Sequence, residues 1–228
     1  MTTMRNARIT RVVEDYVTLI WKAYEWPGGA PSTTDLAAQL AVTPSTVSST
    51  LKKLERDGFI AYEPYGAIEL TPAGHDLAVE IIRRHRIVET YLHRELGMSW
   101  DEVHVEADSL EHAVSDALLA RMDEVLGHPE HDPHGDPIPD AVGRVAPDTS
   151  QALADVAAGT DVRVTRVSDR SPEILRHLQG VGIGIGTILT VAGVSLEAGA
   201  VSVVVGGVSV QLGLPTAAAV RVSPEPAA

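Results

Sequence analysis

A chain of 228 residues without a single cysteine can hold no disulfide, no thiolate metal site and no thiol nucleophile. A net charge of −13 argues against a protein that coats nucleic acid, while 44% apolar residues suffice for buried cores, filled by Leu, Val, Ile and Ala because aromatics make up only 4%. The polar start, 1–11, has no apolar run like a signal peptide, and no later stretch reaches ~18 uninterrupted apolar residues, so the expected protein is cytoplasmic with no membrane partner.

In chain order, Val12, Val13, Tyr16, Val17, Leu19, Ile20, Ala23 and Tyr24 recur at helical spacing and predict a helix over 9–26, stopped by Pro27-Gly28-Gly29. Ser32 with Asp35 three residues on opens a second helix through Leu36, Ala37 and Leu40. Ala41-Val42 turns the chain into a third helix, with Thr43 as N-cap and Pro44 at its first position, burying Val47, Leu51 and Leu54 and ending at Gly58. Two strands, 59–62 and 67–70, are joined by Glu63-Pro64-Tyr65-Gly66, and Thr71-Pro72 opens a longer helix to about Glu95. Three helices followed by a hairpin form the winged helix-turn-helix pattern.

Ser99, with Glu102 in capping-box position, predicts the next helix, carrying Val103, Ala107, Leu110 and Val114 and broken at Ser115-Asp116 before another reaches Leu126. Residues 127–149, rich in Pro, His, Asp and Gly, read as a linker or ordered loop. From Asp161 the period changes to two, giving strands at 162–167, 188–194, 201–205, 208–212 and 219–222 with a short helix at 172–179, the pattern of a small β-barrel. The fold class is mainly α with a β-rich C-terminal domain.

The charge is unevenly spread. Residues 76–140 hold 16 Asp and Glu against 5 Lys and Arg, interleaved with His85, His93, His104, His112, His128, His131 and His134. A bound divalent cation would relieve that repulsion, although a solvated acidic helix face accounts for the charge equally well. More telling is the run His104 to His112. On a helix, Asp108, Glu111 and His112 stand at i, i+3 and i+4 and share one face, a mix of donors suited to a first-row divalent metal. His85 and Glu89 form a second i, i+4 couple, and His104 is placed to serve a neighbouring site. On the third helix, Thr43, Ser45, Thr46, Ser48, Ser49, Lys52, Lys53 and Arg56 offer hydroxyls and cations to DNA phosphates and thymine methyl groups. Tyr62 and Tyr65 in the wing either touch DNA or only pack the hairpin.

Other signals carry less. Gly182-Ile-Gly184-Ile-Gly186 precedes a strand rather than a helix, so it reads as a turn and not a phosphate loop. His128, His131 and His134, in a Pro-rich loop, read as surface histidines. No nucleophile-elbow sequence surrounds any serine.

The stretches Val13-Glu14-Asp15-Tyr16, Arg84-His85-Arg86 with Glu89, Val103-His104 with Glu106-Ala107-Asp108 and Glu111-His112, and Asp136-Pro137-Ile138-Pro139, together with the helix-turn-helix, give a chain that resembles the diphtheria-toxin-repressor family of iron- and manganese-dependent regulators over nearly its whole length. The resemblance implies a winged helix-turn-helix domain over 1–75, a helical metal-binding and dimerisation domain over 76–140, a linker over 141–158 and an SH3-like, FeoA-type barrel over 159–228. It implies two metal ions per subunit: a primary site of Asp15, Asp108, Glu111 and His112, and an ancillary site of His85, Glu89, His104 and a third-domain carboxylate placed at Glu173, with Asp169 as runner-up. Iron-responding members carry Met and Cys where this chain has Asp15 and Asp108, and carboxylate oxygen in place of sulfur favours Mn(II), with Fe(II) as the alternative ion. Thr18 stands where short manganese-dependent relatives carry a second N-terminal carboxylate, so two separate sites are expected rather than a close binuclear pair.

The function expected is thus a manganese-dependent homodimeric repressor, not an enzyme, that binds pseudo-palindromic double-stranded operator DNA and controls metal-uptake genes. The ion would tie the first helix to the helical domain and set the spacing of the paired recognition helices. Two rival readings are a carboxylate–histidine metalloenzyme, which would need Glu-x-x-His on two helices, and a metal-independent winged-helix repressor.

Overall fold

The computed structural model describes residues 9–26, 29–62, 66–195 and 197–225. The helix stop at Pro27-Gly28, the Glu63-Pro64-Tyr65 turn and the DNA contact considered for Tyr65 lie outside the described residues. Two compact units divide the chain: one takes the described residues up to Arg84 together with Pro139–Arg144, the other takes His85–Ile138 and the described residues from Val145 onward.

In the first unit, α1 (Arg11–Glu25) begins at Thr10, whose hydroxyl accepts from the Val13 N–H, and buries Val13, Tyr16, Val17 and Ile20 along one face. The expected capping box is present at α2 (Thr33–Gln39): Ser32 and Asp35 each accept from the other's backbone N–H. Ala41 takes a left-handed backbone (φ 53) in the turn to α3 (Pro44–Arg56), a conformation costing a β-carbon residue about 1 kcal/mol and held here by the Val42 N–H bonding the Ala37 carbonyl. Thr43 caps α3 with Pro44 at its first position, and Val47, Leu51 and Leu54 face the core. Gly58 (φ 86) ends it and lets the chain reverse into β1 (Ile60–Tyr62), which pairs antiparallel with β2 (Ile68–Leu70). Tyr62 is buried against this core, so it packs the hairpin. α4 (Pro72–Leu96) closes the core with Leu77, Ala78 and Ile81.

In the second unit the helical part departs from expectation at both ends of α5 (Val103–Leu110). Ser99 donates to Glu102 Oε2 at 2.6 Å, and its carbonyl accepts from the N–H groups of Glu102 and Val103, so the expected capping box closes a separate turn and the helix starts after it. The helix also stops at Leu110 rather than Val114. Glu111 keeps helical angles as the C-cap (φ −54, ψ −35), and His112 lies in the turn that follows. Ser115 caps α6 (Asp116–Val125), which has no buried residue; Leu119 and Met122 are half-buried against Val88, Leu92, Val103, Ala107 and Val114, while Leu118 and Val125 are exposed.

Of the two readings of the stretch after α6, linker or ordered loop, the structure has the ordered loop. Asp132, His134 and Asp136 are buried, and His131 bridges Pro137 across a tight loop. Beyond it, β3 (Gln151–Ala152), β4 (Asp161–Val167), β5 (Ile188–Ser195), β6 (Ala200–Val205), β7 (Val208–Gly213) and β8 (Val220–Pro224) form an antiparallel sheet in the order β3-β8-β4-β5-β6-β7. Two further helices, α7 (Pro172–Gly180) and α8 (Leu214–Ala218), complete the unit; β3 and α8 were not anticipated, being too short for a periodic signal. Val162, Val164, Leu189, Val191, Val201 and Val203 alternate inward along their strands, and Leu175 and Leu178 of α7 join them. Trp100, from the turn before α5, enters this same core. No helix among the described residues is long and apolar enough to cross a membrane.

Candidate metal centre

α4 supplies the first two donors. His85 and Glu89 stand one turn apart on one face, 2% and 0% exposed. α5 presents His104 beside them, and the turn after β4 brings in Asp169. His85 Nε2 lies 3.1 Å from Glu89 Oε1 and 3.2 Å from His104 Nδ1; His104 Nδ1 lies 3.1 Å from the same Glu89 oxygen and 3.0 Å from Asp169 Oδ2. Four donors from four side chains therefore converge, all within 4.8 Å of one another. Burial alone would raise the Glu89 carboxyl, but His85, His104 and His134 around it hold it well below the usual carboxylate range.

This donor set fits a first-row divalent ion. Two imidazole nitrogens and two carboxylate oxygens spaced by about 3 Å are what an ion bound at ~2 Å needs. A second observation agrees. Glu89 Oε2 and His134 Nδ1 are buried 3.8 Å apart, each without a hydrogen-bond partner among the described residues. The other ring nitrogen, His134 Nε2, donates to the Trp100 carbonyl at 2.6 Å, so Nδ1 faces the carboxylate and must carry a proton or a cation. In the absence of a cation it keeps a proton: burial works against the charge, yet Glu89, Asp132 and Asp169 outweigh it and push the imidazolium up to about 10. Glu89, Asp132 and His134 thus make a further three-donor group sharing Glu89 with the first.

The remaining expected ligands divide between the two units. Asp15 is half-buried on α1. In the second unit, Glu111 Oε2 lies 2.7 Å from His85 Nδ1 and Glu111 Oε1 lies 3.2 Å from His112 Nε2, while the more exposed Asp108 reaches His85 Nδ1 at 3.3 Å. His85 therefore presents one ring nitrogen to each expected ligand set.

Two expectations need correction. Glu173 does not reach the cluster: it is exposed in the first turn of α7, where Ser171 Oγ donates to it at 3.0 Å and Arg176 at 3.3 Å, and the helix's own N–H groups with Ser171 lower its carboxyl. Asp169, the runner-up, is the carboxylate that lies beside His104, because the chain leaves β4 just before it and does not turn into α7 until Ser171. His134 is not a surface histidine but fully buried, whereas His128 and His131 are exposed. The spacing Asp132-Pro-His134-Gly-Asp136 is the one signal from which it could have been found; Pro and Gly there make a tight loop that folds its charges inward.

The polar residues assigned to DNA belong to the first unit. Thr43, Ser45, Thr46, Ser49, Lys52, Lys53 and Arg56 are exposed, and Ser48 is half-buried. A groove lined by Ser32, Thr33, Ser48, Lys52 and Tyr62 runs beside α3, adding the start of α2 to that face.

Comparison with known proteins covers the chain in three stretches. Residues 8–68 match the iron-dependent repressor N-terminal DNA-binding domain, 71–140 the iron-dependent repressor metal-binding and dimerisation domain, and 151–224 the FeoA domain. The chain is 32% identical to the diphtheria toxin repressor of Corynebacterium glutamicum over 92% of its own length and 94% of that protein's. It is 34% identical to the iron-dependent repressor IdeR of Mycobacterium leprae over 73% of each. Among solved structures, a manganese-dependent transcriptional repressor in complex with manganese is 42% identical, with a TM-score of 0.89 over 93% of this chain and all of that one.

Proposed function

The chain belongs to the diphtheria-toxin-repressor family of metal-dependent, DNA-binding transcriptional repressors, which are not enzymes, and from that premise we propose that it is a manganese-responsive repressor of metal-uptake genes acting in the cytoplasm. The observation that carries the reading is the convergence of His85, Glu89, His104 and Asp169, the first two buried, in a chain that also carries a winged helix.

In this reading those four residues hold one ion, and Asp108, Glu111 and His112, with Asp15, hold a second. Divalent positive charge allows carboxylates to converge that otherwise repel one another. The protein does the rest. Glu89 stays ionised although buried, because three imidazoles surround it, and is ready to bind without losing a proton. Glu111, bonded through one oxygen to His85 and through the other to His112, is fixed in orientation before any ion arrives. Neither ligand set contains sulfur, since each is made only of Asp, Glu and His, and hard oxygen donors with imidazole suit Mn(II). The apolar side chains that α6 leaves exposed, Leu118 and Val125, provide a face for the second protomer of a dimer. The exposed hydroxyls and cations of α3 then meet DNA in each half-site of a two-fold operator.

Electrophoretic mobility shift with operator DNA tests this directly, first in EDTA and then with Mn(II), Fe(II) or Zn(II) restored. Retardation with Mn(II) and none in EDTA is expected. Binding unaffected by EDTA would overturn the metal-dependent reading, and a lower threshold for Fe(II) than for Mn(II) would overturn the choice of ion.

A further inference from the structure

We propose that Asp136 is a positioning residue that delivers Asp169 to the metal cluster, by clamping the helix that carries His85 and Glu89 to the strand that leads into Asp169. The inference rests on the reading that His85, Glu89, His104 and Asp169 hold a divalent ion.

Asp136 meets two buried arginines. Its Oδ2 accepts from Arg86 Nη2 at 3.1 Å, and its Oδ1 accepts from Arg166 Nε. Arg86 follows His85 directly on α4, and Arg166 lies three residues before Asp169 on β4; the two are 1% and 2% exposed. One 5%-exposed carboxylate thus joins the two elements that must meet for the fourth donor to arrive. Neither arginine is where apolar periodicity would place a cation. Such a charge persists in an interior only where carboxylates or carbonyls answer it from fixed directions, which makes the contact a device for register more than for stability.

The loop around Asp136 is pinned on both sides. Towards α4, Arg86 Nη1 donates to the Pro137 carbonyl at 2.7 Å. Towards β4, the Val167 N–H donates to the His134 carbonyl at 2.9 Å, and Gly135 (φ 84) packs so closely that a β-carbon there would run into the Thr165 carbonyl. Asp132 holds the loop's own shape by accepting from the N–H groups of His134 and Asp136 at 2.8 and 2.9 Å. On its far side Arg166 donates to Asp148 at 3.0 Å. Since β4 ends at Val167, where the strand is pinned decides where Asp169 falls two residues later. Apolar packing of Trp100 into the barrel core docks the two parts in any case; the ion pairs set the last ångström.

Mn(II) affinity of the full chain, read by electron paramagnetic resonance of the free ion, tests this in a His112→Ala background that silences the other ligand set. Asp136→Ala is expected to weaken binding on the order of 10–100-fold, as loss of an outer partner of a metal ligand does. The same substitution should have no further effect once Asp169→Ala is present, because Asp136 acts only through Asp169. Affinity unchanged by Asp136→Ala, or an equal loss with and without Asp169, would overturn the clamp. Circular dichroism reports whether Asp136→Ala folds; if it does not, Asp136→Asn, which keeps the shape and loses the charge, is read by the same cycle. Failure of the His112→Ala parent to take up Mn(II) at all would overturn the metal reading, and the clamp with it.

Discussion

The polar residues of α3 and those of the donor cluster are put to opposite uses. On α3 the hydroxyls face outward and, while waiting, bond to their own helix: Ser48 to the Pro44 carbonyl, Ser49 and Thr50 to that of Thr46. Each can turn to a phosphate independently of its neighbours. At the cluster the side chains are buried or half-buried, come from three elements, and bond almost only to one another. The first arrangement gives many small, separable and salt-sensitive contributions; the second gives a few large ones that stand or fall together.

That contrast can be broken or sharpened by substitution. The largest effect is expected from Glu111→Ala or His112→Ala, which should abolish Mn(II)-dependent retardation of operator DNA, a loss of at least about 100-fold, while gel filtration still shows a dimer; full binding by either variant would mean that the cluster residues do not act as a unit. Next comes Glu89→Ala. Stripping the buried carboxylate from among three imidazoles should lower the unfolding free energy of metal-free protein by about 3 kcal/mol in urea titration, and should remove most of the stabilisation that saturating Mn(II) gives wild type. On the other side of the comparison, Lys52→Ala should weaken binding to specific and random DNA alike and reduce the slope of log affinity against log salt by about 0.9; a change confined to one sequence would assign Lys52 to base reading instead. Thr43→Ala removes the cap of α3 and should cost about 1 kcal/mol of stability with no change in metal affinity.

A last test on the cluster side uses pH. In the folded, metal-free chain His134 is pushed up to about 10 and Asp132 to about 8, the latter by burial and by the carboxylates of Asp136 and Glu89. Both folded values stand above the unfolded ones, so both groups hold protons more tightly when folded, and their contribution is lost as pH rises through those values. In EDTA, the His134 contribution should therefore be lost as pH rises from about 6.5 to about 10, and His134→Gln should flatten that stretch of the curve. An unchanged slope in the variant would show that His134 does not keep its proton in the fold.

How much could be foreseen varies with distance along the chain. The capping box at Ser32, the Thr43-Pro44 start of α3, the stop at Gly58 and the longer strands of the barrel are all written within a few residues, and the structure places them close to where the pattern does. The His85–Glu89 couple was legible for the same reason: one helical turn brings both to a single face. Glu102 shows where such reasoning slips, since a capping pattern can close a turn as readily as it starts a helix. The identity of the last donor was beyond it. Asp169 and Glu173 are equally acidic and four residues apart, and only the path of the chain out of β4 separates the one that meets His104 from the one that meets Arg176.

By itself, then, the sequence determined most of the elements, their order, the winged helix-turn-helix pattern and the residue types fit for a divalent ion, because caps, turns and periodicity act between near neighbours on the chain. Tertiary structure alone decided that His134 and Asp136 are interior, that Arg86 and Arg166 share one carboxylate, and that Asp169 completes the donor set. Whether a charged side chain can be buried depends on partners brought in from 30 to 80 residues away, and a loop rich in Pro, Gly, Asp and His looks the same in sequence whether it meets water or those partners.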